Sequence, residues 1–262
     1  MAGKLSSYLG FLKGFYKLEF KSAMEYRFNF IMQSAGMFVN DFFWIFFWFI
    51  LFQKFEDING WNFNTMLVMY AIFPLSYGIA ASFLGNWRSI AKLVENGAID
   101  YYLTLPREVL THLMARLRYS GIGDIVFGLV VGVVAIPLIQ WPLYLYLTIL
   151  SSAILLGWAI FCGTFAFFIG RFERASKTMN NSVMMIAGYP FSVYSGLTKF
   201  VLLFIIPAGF VVGIPVELLL EFNFKWLVIA TLYCFGFLAF AVWFFYLGLR
   251  RYESGNVMAM RG

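Results

Sequence analysis

The sequence predicts an all-α integral membrane protein: six transmembrane helices, an amphipathic interfacial helix before them, an organised cytoplasmic loop, and a re-entrant helical pair before the last span. Three observations predict it. Hydrophobic residues make up 62% of the chain against 12% charged, with a mean hydropathy of +0.80, more apolar surface than a soluble fold can bury. The apolar residues fall in runs of about twenty, the length that crosses a hydrocarbon core as a helix with its backbone hydrogen bonds satisfied internally. Of the 19 Lys and Arg residues, all but Lys54, Lys199 and Lys225 fall on one side of the six-span layout, and short basic loops stay in the cytoplasm. Alternation of polar and apolar residues, the mark of a membrane barrel, is missing from runs such as Phe42 to Phe52.

The elements follow in order. Lys13, Lys17 and Lys21 share one helical face, while Leu5, Tyr8, Leu12, Phe15 and Tyr16 share the other, the pattern of a helix lying in the interface. Glu19 falls within the apolar face, so either this helix ends early or Glu19 meets a protein partner. The first apolar run starts near Phe28 after Glu19 and Glu25, with no small-residue cleavage site at once behind it, so no cleaved signal peptide is expected. The spans are predicted over Phe28 to Phe52, Thr65 to Asn86, Ser120 to Ile139, Leu143 to Gly170, Met179 to Leu197 and Trp226 to Leu249. Both termini are then cytoplasmic in a multi-pass protein of the cell membrane. Trp61, Trp87, Trp141 and Trp226 stand at predicted span ends and read as interfacial anchors.

One domain covers 1–262, with 1–27 as the amphipathic helix, 87–119 as the long cytoplasmic loop and 199–225 as the extracytoplasmic re-entrant helices. In the loop, a short helix through Lys92 and Glu95 stops at Asn96-Gly97, Asp100 to Leu105 follow, and Pro106 opens another helix carrying Glu108, His112, Arg116 and Arg118. That helix is expected to run unbroken into the third span as a rigid lever. Phe200 to Leu220 is long enough to cross but holds Pro207, Gly209, Gly213 and Pro215. It is predicted as two short helices dipping into the outer leaflet, with breaks at those residues; the competing reading is a kinked seventh span.

Catalytic chemistry finds no constellation. The phosphate-binding loop that ends in Gly-Lys-Ser/Thr is absent, the sole histidine, His112, sits far from intramembrane serines such as Ser151 and Ser152, and no His, Cys, Asp and Glu cluster has metal-ligand spacing. No catalytic residue, cofactor or metal is expected, and the chain is not expected to be an enzyme. Cys162 and Cys234 lie in apolar runs and read as small buried hydrophobes. The net charge of +6 is spread over short loops, which suits an anionic leaflet and not a nucleic acid. Gly128 with Gly132, and Ala153 with Gly157, suit close helix packing.

Asp41, beside Asn40 midway through the first span, is the costliest residue, at about 2.5 to 3.5 kcal/mol for an aspartate at a helix centre. It is either part of a substrate or gating path with Met37, Trp44, Ile45 and Trp48, or a hydrogen-bonded contact between helices. Asp124, near the cytoplasmic start of the third span, is expected to pair with Arg116 or Arg118.

The stretch Glu95-Asn96-Gly97-Ala98-Ile99-Asp100-Tyr101-Tyr102-Leu103-Thr104-Leu105-Pro106, then Gly123-Asp124 and Gly128, with Tyr189-Pro190, Pro207 and Pro215 later, resembles the membrane-spanning permease subunits of type-2 ABC exporters. The resemblance runs over nearly the whole chain. It implies a half-transporter pairing with a second membrane subunit, identical or homologous, each docked on a separate ATP-binding subunit that hydrolyses the ATP. The implied coupling helix lies at about Arg88 to Leu105, placing Arg88, Lys92, Glu95, Asn96, Gly97, Asp100, Tyr101 and Leu103 at the ATPase contact. The implied path, between the first, second and fifth spans, takes Asn40, Asp41, Trp44, Trp48 and Tyr189. The resemblance also implies a connecting helix before the first span, a re-entrant pair before the last, and export as the direction. The alternative is an ion-coupled carrier or channel with Asp41 as its intramembrane site.

Overall fold

The structure, a computed structural model, describes residues 2–105 and 108–252, with side chains from Gly10 onward except Phe11 and Leu12. Pro106, Arg107 and Arg261, and the side chains of Lys4, Leu5, Tyr8 and Leu12, lie outside the described residues. The described residues form helices and turns with no strand beyond isolated bridges.

Helix α1 (Ala2–Glu25) turns at Tyr26 into α2 (Arg27–Lys54). Along α1, Lys13, Lys17 and Lys21 are exposed and Phe15 and Tyr16 half-buried. The Tyr16 hydroxyl donates to the Phe83 carbonyl, and Glu19 accepts from the Leu117 amide at 3.4 Å. Glu19 thus meets a protein partner, and the helix does not end at it.

Among the described residues, four helical segments are long and apolar enough to cross a membrane: Arg27–Lys54, Phe63–Phe83 (α3), Leu138–Ile169 and Phe224–Leu249 (α13). The third of these contains α8 (Trp141–Thr164) and the short α9 (Ala166–Ile169). Helix α7 (Ser120–Ala135) is apolar but only 16 residues long, ending before Pro137 and so short of the predicted Ile139. Asn62 caps α3, its side chain accepting from the Thr65 amide at 3.0 Å, and Asn223 caps α13 the same way through Lys225 and Trp226.

Helix α3 packs against α7 and α8, α13 against α8, and α2 against α7. Glycines set the closest approaches. A Cβ on Gly123 would lie 2.0 Å from the Ser34 carbonyl oxygen of α2, and one on Gly128 would lie 2.6 Å from Leu75 Cβ of α3. At Gly157 it would meet the Phe237 ring of α13 at 3.1 Å. The small residues therefore pack helices within one chain, as expected. Tyr144 of α8 ties three helices together, its hydroxyl lying 3.1 Å from the Ala71 carbonyl and 3.0 Å from that of Gly128. Thr148, Ser151 and Thr164 donate to carbonyls one turn back in α8, which satisfies them without a partner helix. Cys162 and Cys234 are buried thiols.

Several expectations need correction. Among its described residues the long loop forms three short helices, α4 (Ile90–Glu95), α5 (Ile99–Leu103) and α6 (Val109–Met114). The stop at Asn96-Gly97 stands, with Gly97 at φ 68°. The rigid lever does not: α6 ends at Ala115 (ψ 106°), and the chain runs extended beside the end of α3 before α7 begins. Gly85 N–H donates to the Arg116 carbonyl at 2.8 Å and Arg118 N–H to that of Ser82 at 3.1 Å, so these groups are satisfied outside a helix.

The predicted fifth span, Met179 to Leu197, is instead α10 (Glu173–Ala187) followed by Gly188, a 3-10 turn at Phe191–Val193 and α11 (Gly196–Phe204). Pro190 accounts for the stop, since the residue before a proline is pushed out of the helical region. Downstream, α11 and the helical run Gly209–Leu220 meet at a 78° bend, and Pro207 lies in the break. Gly213 and Pro215 are not breaks: a π turn at Gly209–Gly213 passes directly into α12 (Ile214–Leu220). Counting the bent pair as one span raises the crossing-competent segments from four to five. Trp61 and Trp87 are core residues, not interfacial anchors; Trp87 is 0% exposed, its ring edge-on to Tyr77 at 5.8 Å.

Candidate functional site: an intramembrane cavity and its link to the cytoplasmic loop

A cavity of about 350 Å³ opens between α2, α3, α7 and α10. Helix α2 supplies Met37, Asn40, Asp41 and Trp44, and α3 supplies Tyr70, Phe73, Pro74 and Tyr77. Asp124 comes from α7, and Asn181, Met184 and Met185 from α10, with Gly188, Tyr189 and Arg88 completing the wall. The glycine contact between α2 and α7 explains the most consequential juxtaposition. With Gly123 pressed against Ser34 and Met37, the next residue of α7 brings its carboxyl group to that of Asp41, one turn along α2. Asp41 is 8% exposed and Asp124 2%. Asn40 Nδ2 reaches Asp41 Oδ1 at 3.5 Å, while Asp41 Oδ2 and Asp124 Oδ2 receive no hydrogen bond.

Of the residues the resemblance assigned to a path, Asn40, Asp41, Trp44 and Tyr189 come together on this cavity. Trp48 stands behind it, its indole donating to the Tyr70 hydroxyl at 3.1 Å and its ring meeting Tyr189 edge-on at 6.0 Å. Sequence reasoning had Met37 beside Asp41 but missed Tyr70, Tyr77, Asn181, Met184 and Met185. It also put Asp124 with Arg116 or Arg118 as an interfacial pair, whereas Asp124 faces Asp41. The signal available was Gly123 beside Asp124, which says that another backbone passes there but not which one.

Arg88 belongs to the cavity and not to the outer face of the loop. Its guanidinium lies 3.5 Å from the Tyr77 hydroxyl and donates to the Asn181 side chain. Glu95, at the other end of α4, accepts from the Glu173 amide at the start of α10. One short loop helix is therefore fastened at both ends to a helix that lines the cavity. Its outer side and that of α5 are free: Lys92, Asn96, Tyr101 and Leu103 are exposed, Tyr101 at 65%, while Gly97 and Asp100 are half-buried. Asp100 lies beside Tyr252, whose hydroxyl is pushed up to about 12 by burial and then by this carboxylate. The Tyr246 hydroxyl donates to Glu108, which caps α6 through the Leu110 and Thr111 amides, so the loop is also fastened to the end of α13. His112 packs against the Tyr102 ring at 6.1 Å. Among the described residues, no group of three His, Cys, Asp or Glu gathers to hold a metal.

A bundle of apolar helices around a cavity, joined to a structured loop, has the parts of a transport subunit. A family model described as ABC-2 family transporter protein matches residues 38–256. The chain belongs to that family. No curated protein and no solved structure matches it. Membership makes the chain a permease of the type-2 ABC class, a membrane transport component from a family that associates with ATP-binding subunits. The match takes in the cavity, the loop and the bent helical pair, leaving α1 and the first third of α2 outside it.

Proposed function

We propose that this permease exports its substrate through the α2–α3–α7–α10 cavity, driven by an ATP-binding subunit docked on the exposed side of α4 and α5. One observation carries the reading: α4 is tied to α10 through both Arg88–Asn181 and Glu95–Glu173. A push on α4 shifts a cavity wall directly, with no need for the unbroken lever expected from the sequence. Lys92, Asn96, Gly97, Asp100, Tyr101 and Leu103 belong to the docking side, Glu95 and Arg88 to transmission. Asn40, Asp41, Trp44 and Tyr189 line the path and Trp48 braces it. A second membrane subunit covers α2, whose outward face carries Phe42, Phe43, Phe46 and Phe47 exposed.

In this reading the chain crosses six times, with both termini in the cytoplasm of a cell-membrane protein. The short α7 is extended by 136–140, and α10 is continued across the outer leaflet by 188–195. The turn at its centre is held to protein, as irregular backbone in a membrane requires: Pro190 is buried, and Phe191 is buried against Gly209 and Gly213.

The experiment is affinity purification of the tagged full chain, with ATPase activity followed in the retained complex. Tyr101→Ala with Leu103→Ala should lower retention of the ATPase subunit by about tenfold, as expected for a central aromatic anchor. Glu95→Lys should keep the subunit bound but abolish the dependence of hydrolysis on the permease. Purified permease that moved substrate down a gradient with no ATPase present would end this reading.

A further inference from the structure

The paired aspartates are not explained by packing. Two carboxyl groups meeting away from bulk water repel as anions and need a proton or a cation between them, yet among the described residues no basic side chain forms a salt bridge with them. Arg88, the cation on the same cavity, is engaged by Tyr77 and Asn181. Arg118, whose charge reaches Asp124 electrostatically, is exposed outside the cavity. Both aspartates line the cavity, both are more than nine-tenths buried, and one carboxyl oxygen of each is enclosed with no hydrogen-bond partner.

The remaining wall says what kind of cation fits. Trp44, Tyr70, Tyr77 and Tyr189 line the cavity, and aromatic rings attract cations through their quadrupoles. Met184 and Met185 add an adaptable apolar surface. A hard metal ion would ask for about six oxygens, and the described residues gather no third acidic group or histidine here. A volume of about 350 Å³ suits a small organic molecule.

We propose that the Asp41–Asp124 cavity binds organic cations carrying an apolar or aromatic body, the charge seated between the two carboxyl groups and the body against Trp44 and the methionines. The proposal rests on the cavity being the permease's substrate path, and it names the class of substrate.

The test uses the full chain in a neutral detergent, with ethidium as probe and fluorescence anisotropy as readout. The unaltered protein should bind ethidium saturably. Asp41→Asn and Asp124→Asn, each nearly isosteric, should weaken binding by at least about tenfold, the loss expected when a buried charge loses its partner. Glu217→Gln, which removes an exposed carboxylate on α12, should leave binding unchanged. Gel filtration and a melting curve show which variants fold. If Asp124→Asn does not, Asp41→Asn and Trp44→Ala decide, the latter also weakening binding.

Absence of saturable binding overturns the proposal, as does undiminished affinity in Asp41→Asn. So does displacement of ethidium when sodium replaces potassium at constant ionic strength, which would mark an inorganic ion site. Retention of the ATPase subunit is scored separately. A permease that keeps its ATPase but ignores ethidium loses only the substrate class, and one that binds ethidium without an ATPase loses only the coupling.

Discussion

At the scale of single residues, the glycines of α7 decide how the cavity forms. Gly123 lets α2 come so close that even a methyl group would overlap the Ser34 carbonyl, and this approach holds Asp124 against Asp41. Gly123→Ala should therefore destabilise the protein by about 1 to 3 kcal/mol, the usual cost of overpacking, and lower its melting temperature in detergent. Gly36→Ala is the matched control: a Cβ there meets nothing, and alanine is the better helix former by about 1 kcal/mol, so its melting temperature should hold or rise. Equal melting temperatures for the two variants would mean that the α2–α7 contact is not tight. Single residues also mark where sequence reading stops. The cost of Asp41 was legible because an aspartate in an apolar run is conspicuous on its own. Its partner was not, because the contact depends on which face of α7 meets α2.

At the scale of elements, the apolar runs gave good bounds wherever a helix is apolar throughout, as in α2, α3, α8 and α13. They failed at α10, which begins with a polar turn, Glu173-Arg-Ala-Ser-Lys-Thr, before the apolar run at Val183. Hydropathy recorded the apolar part, carried it past Pro190, and missed the polar start. That polar start is where Glu95 acts, taking the place of a local cap on the Glu173 amide. Within the turn, Glu173 and Lys177 form an ion pair at 2.5 Å, but an exposed pair one turn apart contributes only about 0.3 to 0.5 kcal/mol. Losing a cap costs about 0.5 to 2 kcal/mol. Glu95→Ala should thus fray the first turn of α10, raising hydrogen exchange at the amides of residues 173–176 by up to about tenfold while the amide of Val183 is unaffected. Unchanged exchange at those four amides would show that α4 does not hold α10, and the coupling route would lose its first link.

At the scale of the whole molecule, the layout turns on the bent pair of helices before α13. Helix α11 has 9 residues and the run Gly209–Leu220 has 12, so at 1.5 Å per residue they span roughly 14 and 18 Å. Laid end to end they would cross a core about 30 Å thick; the 78° bend shortens that reach to about 25 Å. In the proposed layout the pair dips in and returns, so that α13 starts on the same side as α11. The charges agree: a crossing here would put Arg250 and Arg251 outside and Lys225 inside, against the rule that basic short loops stay in the cytoplasm. Cysteines at Thr198 and Glu221, both exposed at the far ends of the pair, test the geometry directly, since Cys162 and Cys234 are buried and should stay silent. A membrane-impermeant maleimide added to intact cells should label Thr198→Cys and Glu221→Cys alike. Lys92→Cys and Arg174→Cys should react only after the membrane is opened. Labelling of Thr198→Cys and Glu221→Cys from opposite sides would make the pair a kinked span. The basic end of α13 would then face outward, and an ATPase on α4 and α5 could no longer share a compartment with both Asp100 and Tyr252.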